Sequence, residues 1–586
     1  VGDRVYLRAA PPAPFGTIAR DVARSFLLYT GVDPLNLGSH EGKAYLLAIT
    51  PFDSALTVDL PAPPLAFGCI DRRSPRYLTS QGKTATIYPA ATGNAARSTL
   101  PTDTPASTWV PGKLSGAFNY EITLFTGGNP LGGGSATIGV LELTDPDGEL
   151  DALRTLGWDG APLQLLRGDP DALFSTYEVV ANLSTAGFVY NTRKKEIRLR
   201  DLAWRLNVAE LHGQRYTGAG NADGDATLKG RIKPYCVGPV FNITPVQINA
   251  TGLIYQVSCS SVLAIDAVRD GGVPLTADAD YATYALLAAV TPASGHYATC
   301  RALGLFKLGA APTYLITADV RGDNDTINGI TYPVTRAAIA RRIATGRGNI
   351  RIADPDGIDL TSHQTLDLRQ TATLGYFWDR EITKAEALAE VMAGCLGWFC
   401  VRLNGRLAYG QLEDPSISTP MFSLSYPTDA NDGEVRVGPP AMVDYPARRR
   451  STLMGWARNY TPMDTNQIAG AVTQADALIY RADGRYTSTA DLWVGAAYPS
   501  APIITVQGGF STEAAAQLEG DRQQRLFRNI REAFEIEATI DPFADVAARI
   551  ITVANSNRLG LGSSRNFFCS GIAVNGNGRP VLRLWG

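Results

Sequence analysis

Short runs in which apolar and polar side chains alternate recur along this 586-residue chain, separated by Gly, Pro, Asn and Asp. A period of two puts every second side chain on one face and predicts half-buried β-strands. The clearest are Ala55 to Leu60, Thr84 to Tyr88, Asn119 to Phe125, Glu196 to Leu202, Leu253 to Ser258 and Val262 to Val268. Asn119 to Phe125 and Glu196 to Leu202 fall in one block and are expected to close one sheet. Further strands are expected at Ala533 to Ile540 and Arg549 to Ala554. A closing hairpin of Asn566 to Val574 and Val581 to Trp585 would leave the last strand as a sheet edge, open to pairing with a neighbour.

Helical spacing is rarer. Ile18, Val22, Phe26 and Leu27 share a face between Thr17 and Tyr29. A second helix, Val334 to Thr345, should stop at Gly346-Arg-Gly348, and a third runs from Thr512 to Arg528 with Ala515, Leu518 and Leu526. The strongest local signal spans Thr383 to Leu412. Thr383 and Glu386 form a capping box, and Leu388, Val391, Met392, Cys395 and Leu396 make one apolar stripe. Trp398 to Leu403 and Arg406 to Leu412 then read as a hairpin turning at Asn404-Gly405, with type I′ geometry expected. The fold class expected is mainly β with some α: several small β-barrel or β-sandwich domains plus helix–hairpin elements. Five blocks are expected: 1–93 as an N-terminal arm or docking domain, 94–215 and 216–330 as β-rich domains, 331–455 as a helix-plus-hairpin domain, and 456–586 as a C-terminal β-barrel with a helix. The Pro-, Thr- and Ser-rich stretch 94–112 reads as a linker.

Composition narrows the function classes. With 53 basic and 56 acidic residues the net charge is −3, which argues against a general nucleic-acid binder but allows DNA to pass through a lumen without sticking. Seven scattered cysteines fit no metal or disulfide framework and read as small buried apolar groups. No signal peptide opens the sequence and no apolar run reaches a membrane-span length, so a soluble chain is expected.

Candidate chemistry is sparse. His40, His212, His296 and His363 stand far apart in sequence, whereas metal or acid/base work needs a positioned constellation. Gly218-Ala-Gly220-Asn-Ala-Asp-Gly224 has one residue too many for a dinucleotide fingerprint and reads as a loop. The acidic turns at Asp145, Asp354 and Asp323 are turn formers first, with Asp323-Asn-Asp325 the best of them for calcium. Arg193-Lys-Lys195 reads as a solvated loop, whereas Arg448-Arg-Arg450 is a candidate docking patch. The sequence nominates no catalytic, cofactor-binding or metal-ligating residue.

Gly139-Val-Leu-Glu-Leu143, Asp147-Gly-Glu-Leu-Asp-Ala-Leu153, Trp158-Asp-Gly160 and Leu165-Leu-Arg-Gly168 together resemble a segment of phage tail proteins found in prophages and siphophages. The resemblance continues through Lys229-Gly-Arg-Ile-Lys-Pro234, Gly238-Pro-Val-Phe-Asn242, Ile254-Tyr-Gln256, Gly304-Leu-Phe-Lys-Leu-Gly309 and Ile316-Thr-Ala-Asp-Val320, covering residues 85–330. The helix–hairpin, Arg558-Leu-Gly-Leu-Gly562 and Leu582-Arg-Leu-Trp-Gly586 are similar to parts of baseplate hub proteins. What the resemblance implies is a ring-forming, usually trimeric hub of small β-barrels at the tail tip. Such a hub would touch the distal tail protein, the tape-measure protein and a central fibre or spike, with genomic DNA passing through. It would be made in the host cytoplasm and reside in the virion, with no enzymatic activity. Two other readings stand beside it: a receptor-binding fibre or adhesin, and a tail-associated cell-wall hydrolase.

Overall fold

The computed structural model describes residues 44–49, 52–53, 97–98, 109–110, 119–126, 129–146, 148, 150–168, 178–425, 441–444, 448–554, 564–574 and 580–586. The helix expected at 17–29, the strands at 55–60 and 84–88, and the segment 558–562 lie outside these residues. What is described is mainly β, in several sheets with a few helices between them, as the alternation predicts.

The first sheet is antiparallel throughout, in the order Ala44–Ile49, Pro162–Gly168, Glu178–Tyr190, Lys194–Arg200, Val140–Thr144. Leu141, Leu143, Leu163, Leu165, Leu183, Ile197 and Leu199 point to one buried face, each separated from the next in its strand by an outward residue. Two further five-stranded sheets follow. One is ordered Val273–Pro274, Val262–Asp270, Ile316–Gly322, Tyr235–Ile243, Tyr376–Trp378. The other is ordered Val246–Asn249, Ile254–Gln256, Leu305–Leu308, His296–Cys300, Thr276–Asp280.

An eight-stranded sheet gathers segments from both ends of the chain. Its path runs Phe422–Ser425, Ile550–Ala554, Arg565–Val574, Pro580–Trp585, Ala533–Glu537, Ala441–Asp444, and Tyr120–Thr126 branches onto Arg565–Val574 with Asn129–Ile138 beside it. Two expectations are corrected here. The strand at 120–126 buries alternate residues over 120–124 as predicted, but it pairs with 571–574 and not in the sheet of 194–200. The strand that ends at Trp585 is not an edge: it lies between Arg565–Val574 and Ala533–Glu537, hydrogen-bonded on both sides. Arg583 ties this arrangement together, donating to Glu535 at 2.9 Å, to Thr123 at 2.9 Å and to Glu121.

The barrels expected for the β domains are not seen. Among the described residues no sheet closes on itself: the end strands of each path of three or more strands, and of the branch on the eight-stranded sheet, do not pair with one another.

The helical layer matches its sequence signals more closely. Thr383 caps helix Lys384–Ala393 with both arms of the capping box made, and Leu388, Val391, Met392, Cys395 and Leu396 are all buried. Strands Gly397–Val401 and Leu407–Gln411 follow as a hairpin. Its turn departs from the expected type: Gly405 N–H donates to Arg402 O at 2.8 Å and Arg402 N–H to Arg406 O, with only Gly405 at positive φ (81°). That is a three-residue turn closed by a left-handed glycine, whereas type I′ would also need Asn404 at positive φ. Thr512 caps Glu513–Arg528 as expected. The helix expected at 334–345 runs as α only over Arg336–Arg341, then widens to a π turn, Arg342–Gly346. Gly238 is required where this layer meets the sheet. At φ 66° its missing Cβ would sit 1.9 Å from the Leu374 carbonyl oxygen.

Candidate assembly surface

The acidic turns turn out to be internal fasteners. Asp323 Oδ1 accepts from Arg342 Nη1 at 2.9 Å and from Arg347 Nη2 at 2.7 Å, and Oδ2 accepts from the Tyr235 hydroxyl at 2.6 Å. Asp325 accepts from Arg347 Nη2 and Ser261 Oγ, each at 2.5 Å. The Asp323 and Asp325 oxygens that a calcium ion would need are taken up by two guanidinium groups, so in this structure the loop is filled by arginine. Burial and the Asp323 charge push the Tyr235 hydroxyl far up. Asp145 likewise accepts from the Leu150 N–H and pairs with the buried Lys195 at 3.2 Å, and Asp354 pairs with Arg341 at 2.6 Å.

Lys194 and Lys195, expected in a solvated loop, instead open the strand Lys194–Arg200. Lys195 is 2% exposed and is held between Asp145 and Asp151. The glycine-rich stretch 218–224 is a loop, as its spacing predicts, and is tied down by Asp223 to Lys233 at 2.7 Å. Among the described cysteines all six are free, and burial pushes Cys395 up to about 11 and Cys400 to about 12. Cys69 lies outside the described residues.

The histidines are not brought together. His296 Nδ1 meets Asp278 at the surface (2.8 Å), and His363 Nδ1 meets the Tyr409 hydroxyl (2.6 Å). His40 lies outside the described residues. His212 is buried beside Tyr235, its Nδ1 accepting the Gln214 N–H at 3.1 Å. Burial, with Arg347 and Arg215 nearby, lowers it from 6.5 to about 4. Its neutral form therefore belongs to the fold. As pH falls below 6.5 the unfolded chain takes up a proton that the folded chain refuses until about 4. Stability from this group, at most about 3 kcal/mol, is lost across that window. His212→Asn keeps an acceptor for Gln214 and removes the titration. Urea midpoints measured between pH 7 and 4 should fall less steeply in that variant than in the wild type.

The basic triplet behaves as three different residues because an extended chain alternates its faces. Arg449 turns inward, its guanidinium 3.8 Å from the Phe527 ring centroid and Nη1 donating to Gln523 at 3.4 Å. Arg448 and Arg450 turn outward toward the short helix Leu492–Ala497, which Asp491 caps by accepting the Val494 N–H. Arg448 lies 5.0 Å from the Trp493 ring centroid and 4.4 Å from that of Tyr498, and the Arg450 side chain runs past Gly495. Leu492 is 87% exposed, Trp493 51%, Ile503 54% and Tyr498 41%. Apolar side chains in such a cluster mark an interaction surface far more than scattered ones do. Sequence reasoning found the arginines and missed the aromatic half. Its signal was Leu492-Trp493 directly after a capping Asp491, too short a segment for any periodicity to register.

Two other features border on function. The three-stranded sheet Arg485–Ala490, Ser451–Trp456, Ile503–Phe510 places the arginine–aromatic cluster at one end of its central and parallel strands. A cleft of about 530 Å³ separates helix Leu360–Arg369 from the eight-stranded sheet, with Thr361, Thr365, Gln411, Thr419 and Arg549 on its walls. Among the described residues, no group of three or more His, Cys, Asp or Glu side chains is placed to hold a metal ion, and no helix is long and apolar enough to cross a membrane.

No protein-family model matches the chain, and no curated protein matches it significantly. Among solved structures it is similar to a tail protein from Neisseria meningitidis MC58, at 11% identity over 80% of this chain and 91% of that one (TM-score 0.30). It is similar also to the 43 kDa tail protein of prophage MuSo2 from Shewanella oneidensis, at 10% identity over 82% of this chain and 96% of that one (TM-score 0.29). A chain in the virion of a native gene transfer agent particle aligns at 10% identity over 61% of this chain and 84% of that one (TM-score 0.33).

Proposed function

We propose that this chain is a structural protein of a long-tailed phage, the hub of the tail tip. In this reading it assembles as a homo-oligomer, a trimer, that closes the tail tube. It organises the distal tail protein, the end of the tape-measure protein and a central fibre or spike, and lets genomic DNA leave through the lumen without specific binding. The observation that carries the reading is where the family-like positions fall. Leu141, Leu143, Leu150, Leu153, Trp158 and Leu165 are core residues, and Trp158 Nε1 donates to Leu153 O at 3.0 Å. Ile254, Leu305, Phe306, Ile316, Ala318 and Val320 are buried as well. What this chain shares with tail proteins is thus scaffold, which suits a part whose work is assembly.

The test is cryo-electron microscopy of intact tail tips. A threefold ring of this protein around the lumen, at the end of the tube, is expected. Peripheral fibre-like density, or absence of the protein from the particle, overturns the hub reading and returns attention to an adhesin or a cell-wall hydrolase.

A further inference from the structure

Among the described residues the Arg448 guanidinium has no counter-charge. It makes no ion pair or hydrogen bond with any of them, and its Nε and Nη1 are shut away from solvent without an acceptor among them. Nη2 is the nitrogen left facing out, at the rim of the two aromatic rings. Trp, Tyr and Arg together are the residue types that dominate protein interfaces, and a guanidinium held between rings loses little entropy on capture. Exposed Leu492 and Ile503 flank the rings. Aliphatic neighbours favour a protein partner over a saccharide, which gains from stacking on rings but little from leucine or isoleucine.

We propose that this face receives a second copy of the chain through the outer strand Thr276–Asp280. The inference rests on the hub reading and names the contact that would build its ring. All five residues of that strand are exposed, and among the described residues it pairs on one side only, with His296–Cys300. It therefore offers what the cluster lacks: backbone carbonyls along an open edge and the carboxylate of Asp278, Asp280 being already paired with Arg301 at 3.1 Å and accepting from Thr299. Among the described residues Asp278 is engaged by His296 alone, at 2.8 Å, so it retains accepting capacity toward a guanidinium. The two surfaces belong to different sheets of one chain. A contact between unlike patches is heterologous, and repetition closes it into a ring when the rotation allows.

The experiment uses the full chain and measures its mass by sedimentation velocity across a concentration series. The wild type is expected to associate, more weakly at high salt because charge pairs contribute. Trp493→Ala and Arg448→Glu should each weaken association about tenfold or more. Asp278→Lys should do the same from the other side, and Arg448→Glu mixed with Asp278→Lys should recover part of the loss. All three sites lie outside the buried cores, and near-UV circular dichroism of each variant checks that it folds as the wild type does. An oligomer indifferent to all three substitutions overturns this contact and leaves the hub reading standing. A wild type that stays monomeric, and sits outside any ring in the particle, overturns both.

Discussion

Asp323→Asn is expected to lower the free energy of unfolding by about 3–5 kcal/mol, the range for breaking a buried charge cluster from one side. The carboxylate is fully buried, and Arg342 and Arg347 are 1% and 10% exposed. Deleting its charge leaves the buried Arg342 with the backbone carbonyls of Asp325 and Ile330 and no carboxylate among the described residues, and leaves Arg347 with the partly exposed Asp325. Asparagine makes the clean probe for a backbone reason. Asp323 sits at φ 50°, a left-handed conformation that Asn tolerates and Ala does not. Asp323→Ala should therefore cost more than Asn, by a strain term added to the lost charge. The damage should spread, because the cluster joins strand Tyr235–Ile243 to the π turn Arg342–Gly346. Denaturation monitored at the melting midpoint measures the loss. In the wild type, millimolar calcium should leave that midpoint unmoved, since the loop already holds its cations. A rise of several degrees with calcium would contradict the arginine-filled geometry.

This cluster also shows why some of the molecule was legible in the sequence and some was not. Local signals read well wherever all the interacting residues lie within a turn or two. Thr383 and Glu386 are three apart, and both arms of their capping box form. Leu388, Val391, Met392, Cys395 and Leu396 repeat at helical spacing, and all five are buried. The Asn404-Gly405 turn is in the right place, and only its type differs. Strand alternation told which residues of 120–124 are buried but not which strand lies alongside, because period two specifies a face and not a neighbour. Its partner at 571–574 is held by Arg583 reaching Glu121, far away in sequence. Asp323 read as a turn former, with calcium its metal candidate, for the same reason. Its true ligands come from Tyr235, well upstream, and from a helix end whose widening no spacing rule anticipates. The exposed ring pair at Trp493 and Tyr498 is met by Arg448, which arrives from a segment far away in sequence.

Trp585→Ala should cost a further large amount, about 3–5 kcal/mol, because it empties a core position in an interior strand. The indole is fully buried. Trp585 faces Ala533 on one neighbouring strand and Phe568 on the other, with the Phe527 ring 6.2 Å away and the Arg531 guanidinium 5.2 Å from its centroid. It thus couples helix Glu513–Arg528 to the eight-stranded sheet. Trp585→Phe keeps an aromatic edge for Phe527 and should lose less than Ala does. The discriminating measurement is amide hydrogen exchange on the two flanking strands. An interior strand predicts that protection falls together in 533–537 and 565–574, since each loses the same packed neighbour. An edge strand would loosen only the one strand it pairs with, at a cost nearer 1 kcal/mol. Joint loss of protection places the last strand inside the sheet. The pairing surface open to a neighbouring subunit must then be sought elsewhere, at strands such as Thr276–Asp280 that remain paired on one side.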